Sequence, residues 1–307
     1  MAWFDGFEAA RHRVGDIEIF ARTGGNPQGP ALLLLHGFPQ THAMWHRVAK
    51  KLADRFSLVV PDLRGYGDST KPATPPGPPE LDHAQHSKRA MAADMAALMR
   101  SLGHERFTVV GHDRGGRVAH RLAIDHPERV KRLCVIDIAP TLDMYDSTDF
   151  RFASWYYHWF FLIQPAPLPE RLIGADAAFY LRWCLGGWGS RGDLGFIEPE
   201  ALAEYERCFC RPDTIHAACE DYRASATLDL EHDRASRAAG EKIRCDLLVL
   251  WGERGVVERL YEPLVLWRAQ CAGRVSGQAV AAGHFIPEEL PDETAAHIAA
   301  FMLPTRG

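Results

Sequence analysis

The sequence has few features of an exported, membrane-embedded or nucleic-acid-binding protein. Residues 1–8 contain neither the basic segment nor the apolar core of a secretory signal. The longest apolar runs, near 31–35 and 159–163, are too short to cross a bilayer. The net charge of −5 does not favour nucleic acid or an anionic membrane surface as a partner. We therefore expect a cytoplasmic protein that binds neither nucleic acid nor membrane.

The cysteines form no recognisable framework. The chain has seven cysteines, an odd number without regular spacing, which is typical of free thiols in a reducing compartment. Cys208, Cys210 and Cys219 lie near His216, but their spacing matches no zinc-binding pattern. We expect no metal site and no cofactor, so any chemistry must come from the side chains and the backbone.

What the sequence does contain is an alternation of strand-like and helical patterns. Strands are predicted at 14–21, 31–35, 57–61, 107–110, 133–136, 247–251 and 275–280. Helices are predicted at 89–102, 116–126, 262–271 and 294–302. This alternation is typical of an α/β protein whose mostly parallel sheet is flanked by helices on both faces. The 307 residues are enough for one such domain with an insertion.

The alternation is interrupted between residues 141 and 240. This segment has few strand signals, many aromatic residues and several short helical patterns. We predict a core formed by 1–140 and 241–307, with 141–240 inserted as a helical cap. A cap over the sheet would exclude water from a small site, although most of its aromatic residues are expected simply to pack against the core. The proline-rich stretch 72–79 is expected to form a rigid surface loop.

The most informative motif is Gly-His-Asp-Arg-Gly-Gly at 111–116, directly after a predicted strand. It matches the strand–turn–helix elbow that carries a catalytic nucleophile, with Asp113 where esterases have serine. A carboxylate attacks carbonyl carbon poorly but can displace a leaving group from saturated carbon. The motif therefore predicts carbon–halogen or epoxide cleavage rather than ester hydrolysis. The competing interpretation of Asp113 is an ordinary helix N-cap.

Two further side chains could complete a catalytic set with Asp113. His284 follows the last predicted strand in a Gly-His-Phe loop and could take a proton from water near neutral pH. Asp137 ends the strand that follows the elbow, where an acid could orient this histidine. The other usual position for the acid follows the next strand, where Gly255 stands in place of an aspartate. We therefore predict Asp137 as the acid and keep Glu253 as the alternative.

Groups beside the elbow could stabilise negative charge. The loop after the strand 31–35 contains Phe38, and we expect the amides of Phe38 and Arg114 to form an oxyanion hole. Arg114 and Arg117 are spaced to lie on one helix face, where they would favour ionised Asp113 and bind a substrate carboxylate bidentately. The alternative is that both are ordinary surface arginines. A departing halide would also need donors, and 157–159 and 221–223 offer several among which spacing does not choose.

Taken together, these stretches resemble the fluoroacetate dehalogenase family, which belongs to the haloacetate dehalogenase group of the α/β-hydrolase superfamily. The resemblance covers nearly the whole chain, including the insertion. It is carried by HGFPQTH at 36–42, GHDRGGRV at 111–118, DIAPT at 137–141, YHW at 157–159, QPAPLPE at 164–170, CEDYRA at 219–224 and GHFIPEE at 283–289.

The resemblance implies a fold, an activity and a catalytic set. The implied fold is the α/β-hydrolase fold, and the implied activity is hydrolysis of short 2-haloacids, such as haloacetates, to a hydroxyacid and halide. Asp113 would be the nucleophile, His284 the base and Asp137 the acid. The partners would be a small haloacid and a second copy of the chain, because members of this family often form homodimers.

The resemblance also implies how the substrate is held. Arg114 and Arg117 would bind its carboxylate. The halide would be held by donors from the insertion, namely His158, Trp159 and Tyr222. Two more tryptophans stand out: Trp188 matches a further pocket residue, and Trp155 stands where a relative has lysine.

Other functions stay open at this point. An epoxide hydrolase uses the same aspartate but needs two tyrosines from the cap, for which Tyr157 and Tyr222 are candidates. A haloalkane dehalogenase would leave Arg114 and Arg117 facing a neutral substrate. A non-catalytic binding protein with this fold would not require the Asp–His–Asp set.

Overall fold

The computed structural model describes residues 4–74, 83–189 and 192–303, and one eight-stranded sheet organises it. The strands are β1 (Phe7–Val14), β2 (Ile17–Gly25), β3 (Ala31–Leu35), β4 (Ser57–Pro61), β5 (Phe107–His112), β6 (Val130–Ile136), β7 (Asp246–Gly252) and β8 (Val275–Val280). Their order across the sheet is β1-β2-β4-β3-β5-β6-β7-β8. From β4 to β8 all neighbours are parallel, whereas β1 and β2 form an antiparallel edge. The predicted α/β architecture is thus confirmed.

The prediction of one strand over 14–21 is wrong, because two strands meet there. Val14 and Ile17 are paired ends of a hairpin. Gly15 makes the turn with φ +60°, a conformation that glycine adopts without strain. The buried alternation belongs to β2 alone, since seven of the eight residues of β1 are at least partly exposed.

Helices cover the sheet and fill the insertion. Before the insertion lie α1 (His46–Leu52), α2 (Lys88–Ser101) and α3 (Arg114–Asp125), with short 3-10 helices at His42–Trp45 and Ala84–His86. Between β6 and β7 lie α4 (Thr141–Asp146), α5 (Phe150–Trp155), α6 (His158–Leu162), α7 (Leu168–Ala175), α8 (Ala177–Gly187), α9 (Pro199–Phe209), α10 (Pro212–Ala226) and α11 (Leu228–Ala238). After β7 lie α12 (Val256–Leu260), α13 (Pro263–Gln270), α14 (Ile286–Glu289) and α15 (Pro291–Met302).

The four predicted core helices are present, with bounds within three residues of those predicted, and three short helices, α1, α12 and α14, are additional. Every residue of β3 and β5 is buried, so the sheet is covered on both faces. The short helix α1 was not predicted, and α3 begins at Arg114 rather than at 116, immediately after the elbow. The earlier start matters for function because it places the amide of Arg114 at the first helical position.

The insertion, residues 141–240, is helical in its described parts, 141–189 and 192–240, and contains no strand there. Its central helix is α10, which is buried along most of its length and packs against α6, α7, α9 and α11. No helix within the described ranges is both long and apolar enough to cross a membrane. Of the proline-rich stretch 72–79, residues 75–79 lie outside the described ranges.

Candidate active site

Asp113 lies at a sharp turn between β5 and α3. Its backbone has φ +47° and ψ −116°, which is strained for a residue with a side chain, and the residue is buried. Glycine neighbours permit the turn, because a Cβ at Gly111 would lie 2.3 Å from the carbonyl oxygen of Gly115. Although α3 is described throughout, it gives the Asp113 side chain no capping hydrogen bond. The geometry is that of an elbow rather than of an ordinary N-cap.

His284 and Asp137 lie beside Asp113 at the carboxyl ends of neighbouring strands. His284 Nδ1 is 2.6 Å from Oδ2 of Asp137, and its Nε2 is 4.0 Å from Oδ2 of Asp113. Asp137 also has a positive φ, +51°, and its Oδ1 accepts a hydrogen bond from the Gly252 amide at 2.9 Å. The structure therefore brings the three predicted residues together, with the His284 ring between the two carboxylates.

The alternative acid, Glu253, does not join this group. Glu253 is exposed to solvent, whereas Asp137 is buried against the histidine. The loop after β7 supplies no acid because glycine, which has no side chain, stands at position 255. A Cβ at this position would lie 3.2 Å from Oδ1 of Asp137. The positions 137 and 255 thus lie next to the same point beside His284. In this chain the side chain of Asp137, at the end of β6, occupies that point.

The charges in this group stabilise one another. Burial alone would raise the pKa of Asp113, but the charges of His284, Arg114 and Arg117 outweigh it and lower that pKa. Burial would likewise lower the pKa of His284, but the hydrogen bond and charge of Asp137, together with the charge of Asp113, raise it. Asp113 is therefore ionised at neutral pH.

A backbone amide from the loop after β3 holds the Asp113 carboxylate. The Phe38 amide donates a hydrogen bond to Oδ1 of Asp113 at 3.1 Å. The loop approaches closely because Gly37 has no side chain, since a Cβ there would lie 2.5 Å from Cβ of Asp113. Oδ1 is thus held by an amide, and Oδ2 is the oxygen on the side of His284.

Arg114 is fully buried, and one edge of its guanidinium is already occupied. Nε donates to Oδ2 of Asp221 at 3.0 Å, and Nη2 donates to Oδ1 at 2.8 Å and to Oγ of Ser225 at 2.5 Å. Its buried charge thus has a counter-ion within the protein, so Nε and Nη2 are occupied, and the predicted role of Arg114 in binding a substrate carboxylate would fall to Nη1. The Nη1 atom has no partner among the described residues.

Arg117 lies one turn further along α3 and is also buried rather than at the surface. Its Nη1 donates to Oγ1 of Thr141 at 2.9 Å, and its Nη2 contacts the sulfur of Met144 at 3.3 Å. The guanidinium carbon lies 4.7 Å from the centre of the Trp159 ring. Its Nε has no hydrogen-bond partner among the described residues.

The three expected halide donors lie together on α6 and α10. The rings of His158 and Tyr222 are 5.7 Å apart, and those of Trp159 and Tyr222 are 6.4 Å apart. Nδ1 of His158 and the hydroxyl of Tyr222 are buried without partners in the described ranges. Burial lowers the pKa of His158 to about 3, so its imidazole is neutral. Trp188 lies between the halide donors and the catalytic histidine: its ring is 4.4 Å from that of His158 and 5.3 Å from that of His284.

Trp155 and Tyr157 lie outside this group. Their side chains are 38% and 39% exposed, and they line an outer cavity of about 360 Å³ that also touches Trp188. The Arg259 guanidinium carbon lies 5.5 Å from the centre of the Trp155 ring. A cation, that of Arg259, thus lies beside Trp155.

Three residues that contact the predicted site residues do not stand out in the sequence. Tyr156 is buried, with its ring 5.2 Å from that of His158. Tyr145 has its ring 4.9 Å from that of Trp159. Asp221 was noted only as part of a segment with possible donors, yet it pairs with Arg114. Nothing in the spacing of the aromatic residues marks Tyr156 or Tyr145 rather than their neighbours.

Cys208, Cys210, Cys219 and His216 lie on or next to α9 and α10. Within the described ranges no group of three or more histidine, cysteine or acidic side chains is arranged to hold a metal ion. His216 instead contacts Glu170 at 3.1 Å and Thr74 at 2.8 Å, and Cys210 is exposed.

Comparison with known proteins agrees with this geometry. A family model described as the alpha/beta hydrolase fold matches residues 30–290. Fluoroacetate dehalogenase from Burkholderia is 46% identical over 303 residues, which covers 99% of this chain and 96% of the relative. Soluble epoxide hydrolase from Corynebacterium is 33% identical over 280 residues, covering 91% of this chain and 92% of the relative.

A solved structure is also similar to this chain over nearly its whole length. A protein from Nostoc, provisionally described as an alpha/beta hydrolase, has a TM-score of 0.93 and 53% identity, covering 99% of this chain and all of that chain. The resemblance predicted from the sequence is confirmed, and the matched region includes the elbow, Asp137 and His284. The chain belongs to the alpha/beta hydrolase fold family.

Proposed function

We propose that the chain is a haloacid dehalogenase, which hydrolyses short 2-haloacids such as fluoroacetate or chloroacetate to the hydroxyacid and halide. One observation carries this: buried polar atoms around Asp113 lack partners among the described residues, namely Arg114 Nη1, Arg117 Nε, His158 Nδ1 and Tyr222 Oη. Buried polar atoms are nearly always hydrogen-bonded, so such a group favours a ligand site. The cationic donors suit a carboxylate and the neutral donors suit a halide. The similarity to fluoroacetate dehalogenase supports this function.

In the first step, Oδ2 of Asp113 attacks the α-carbon of the haloacid. A carbon–oxygen bond forms while the carbon–halogen bond breaks with its electron pair, giving an ester with inversion at carbon. The Phe38 amide holds Oδ1, which becomes the carbonyl oxygen of this ester. The departing halide accepts hydrogen bonds from the halide donors His158, Trp159 and Tyr222. Each such bond to a charged group contributes about 1.5–3 kcal/mol, so three of them raise the rate by several powers of ten.

In the second step, water hydrolyses the ester. His284 takes a proton from water, and the water oxygen attacks Cγ of Asp113. The negative charge that develops on Oδ1 is stabilised by the amides of Phe38 and Arg114. The bond from Cγ to the substrate oxygen then breaks, that oxygen takes the proton held by His284, and the regenerated Asp113 carboxyl group loses its proton to solvent. Asp137 keeps the imidazole oriented and stabilises its charged form.

Charge coupling between Asp113 and His284 would separate the two steps. The Asp113 carboxylate raises the pKa of His284, whose Nε2 is 4.0 Å away. Esterification removes that negative charge, so the pKa of His284 falls and the neutral imidazole is favoured. The histidine therefore becomes a base after the ester has formed, when a base is needed.

The alternatives fit less well. Epoxide cleavage was expected to use Tyr157 with Tyr222, but Tyr157 lines the outer cavity and is 39% exposed. Two buried arginines next to the nucleophile also have no use with a neutral epoxide or haloalkane. A binding protein without catalysis would not need a carboxylate, an imidazole and a second carboxylate at these distances.

The decisive experiment measures halide release by the purified protein. Fluoride and chloride release from fluoroacetate and chloroacetate is followed with ion-selective electrodes, beside hydrolysis of styrene oxide. We expect halide release and no epoxide hydrolysis, with Asp113→Asn inactive on every substrate. Epoxide hydrolysis without halide release would overturn the proposal in favour of its main alternative, and no turnover of either would favour a binding protein.

We also propose that the chain forms a homodimer through the insertion, which acts as a cap on the core. Helices α7 and α8 carry exposed apolar side chains at helical spacing: Leu168, Leu172, Phe179 and Trp183 are 50–61% exposed. An apolar stripe of this kind favours a protein partner. Light scattering of the wild type and of Leu172→Glu would test this, because the variant is expected to be monomeric.

A reducing compartment, such as the cytoplasm, suits this chain. All seven cysteines are free, and four of them, Cys134, Cys184, Cys208 and Cys219, are deeply buried. Burial raises the pKa of Cys184 to about 12, so its thiol is unreactive at neutral pH.

A further inference from the structure

Tyr145 carries a buried hydroxyl group that the proposed reaction does not use. It lies on α4, the first helix of the insertion, and its Oη has no hydrogen-bond partner among the described residues. Burial raises the pKa of Tyr145 to about 12, so the group is a neutral phenol that can donate one hydrogen bond and accept others. A buried hydroxyl without a partner is rare in folded proteins and indicates that something else supplies one.

The surroundings of this hydroxyl point to the carboxylate end of the substrate. The two charges that act most strongly on Tyr145 are those of Arg114 and Arg117. Its ring lies 4.9 Å from that of Trp159, and the Arg117 guanidinium lies 4.7 Å from the same ring. Met144, the preceding residue, contacts Nη2 of Arg117 through its sulfur. Tyr145 is thus packed against the groups that hold Arg117 in place.

We propose that the Tyr145 hydroxyl is a third donor to the substrate carboxylate, beside Nη1 of Arg114 and Nε of Arg117. All three atoms are buried and unpartnered within the described ranges, and two carboxylate oxygens can accept hydrogen bonds from all of them. Both arginines belong to α3 of the core, whereas Tyr145 belongs to the insertion. The bound carboxylate therefore connects the core to the insertion. This inference rests on the proposed function and adds a specificity-determining residue to it.

The test separates the two ends of the substrate with two probes that need no turnover. Acetate carries only the carboxylate, and bromide occupies only the halide donors; both are titrated by calorimetry. In Tyr145→Phe, which keeps the ring, we expect acetate to bind at least about tenfold more weakly, equivalent to about 1.4 kcal/mol, and bromide to bind as in the wild type. The KM for chloroacetate should rise by a similar factor, with kcat changed much less.

Tyr180→Phe is the matched control. Tyr180 also has a buried hydroxyl on the insertion, but the groups that act on it are Cys184, Tyr157 and Tyr222 rather than the arginines. Its ring packs 6.0 Å from that of Phe161 and 6.3 Å from that of Phe209. Both variants remove one hydroxyl from the insertion, and only Tyr145→Phe should weaken acetate.

Four outcomes would overturn the inference. Unchanged acetate binding in Tyr145→Phe would show that the hydroxyl does not contact the carboxylate. Equal weakening of acetate and bromide would indicate general damage to the site, as would equal effects of the two variants. Failure of the wild type to bind acetate would also overturn it. A wild type that binds acetate but releases no halide would instead overturn the proposed function alone.

Discussion

Arg114 and Asp221 form a buried ion pair between the first turn of α3 and the middle of α10. Two nitrogens of the guanidinium donate to the two carboxylate oxygens, at 3.0 and 2.8 Å. Lys88 and Tyr66 donate to the same carboxylate. Asp221 thus pairs with two buried cations, of which Lys88 also has Asp229 at 3.5 Å. It fixes the orientation of Arg114, whose Nη1 is left without a partner among the described residues.

Replacing Asp221 with asparagine should therefore destabilise the protein. The free energy of unfolding should fall by about 3–5 kcal/mol, because Arg114 remains buried without its counter-ion, whereas Lys88 keeps Asp229. Urea unfolding followed by circular dichroism measures this. The control is Glu105→Gln, which breaks a surface pair with Arg129 at 3.2 Å and should change stability little. Equal effects of the two substitutions would contradict a structural role for Asp221.

Asp113→Asn should lower the pKa of His284. In the wild type the Asp113 carboxylate is one of the charges that raise this pKa, and a neutral amide removes that contribution while Asp137 stays in place. An NMR titration of the His284 ring protons gives the value directly. Asp246→Asn, at the far end of β7, is the matched control and should leave the titration unchanged. An unaltered His284 pKa in Asp113→Asn would show that the two groups are not coupled.

His284→Asn should stop the reaction after the first step. Asp113 can still displace halide, but no base activates water, so the ester accumulates. We expect one equivalent of chloride per chain from chloroacetate, followed by no further release, and a covalent adduct on the peptide that contains Asp113 in mass spectrometry. In isotopically labelled water the wild type should incorporate label into Asp113 over repeated turnovers. Steady turnover by His284→Asn, or an unlabelled Asp113, would contradict the covalent route.

The sequence predicts the catalytic groups better than it predicts their partners. Asp113, Asp137 and His284 could be found because the first two directly follow strands and His284 lies in the loop after β8. Parallel strands bring their carboxyl ends to one edge of the sheet. The insertion gives no such guide, because α5 and α6 are too short for helical periodicity to show which face is buried. Spacing alone therefore cannot distinguish buried Tyr156 from half-exposed Tyr157.

Partners that are distant in sequence were also beyond prediction. The pairing of Arg114 with Asp221 depends on how α10 packs over α3, and neither residue signals it locally. The sequence therefore did not indicate that Asp221 occupies one edge of the Arg114 guanidinium, whose Nη1 has no partner among the described residues. The first hairpin was missed for a different reason: β1 is an edge strand, so it lacks the apolar alternation that marks buried strands.

Tyr222→Phe should slow halide departure. The variant loses one hydrogen bond to the leaving halide, which lowers kcat by about 10- to 100-fold for fluoroacetate. The effect should be smaller for bromoacetate, because bromide is a weaker hydrogen-bond acceptor and a better leaving group. Halide release from both substrates measures this. Tyr157→Phe is the control and should leave both rates unchanged; loss of activity in that variant would instead bring Tyr157 into the site.

Moving the carboxylate that orients His284 from position 137 to position 255 should restore part of the activity that is lost in Asp137→Gly. Asp137→Gly removes the partner of His284 and should lower turnover by up to about 10⁴-fold, with glycine tolerating the φ of +51° at this position. Adding Gly255→Asp places a carboxylate where the Asp137 side chain lay, because a Cβ at position 255 is 3.2 and 3.4 Å from the two Asp137 oxygens.

The exchanged variant should recover at least about tenfold of the lost turnover, since an oriented carboxylate again stabilises the imidazolium. Steady-state chloride release measures this, and folding is checked by thermal unfolding. The control carries Asp137→Gly with Gly255→Asn, which has the same shape without the charge. Recovery by the aspartate but not by the asparagine would establish that His284 needs a carboxylate at this point, from either strand. Equal recovery by both would mean that orientation alone, and not charge, is what Asp137 supplies.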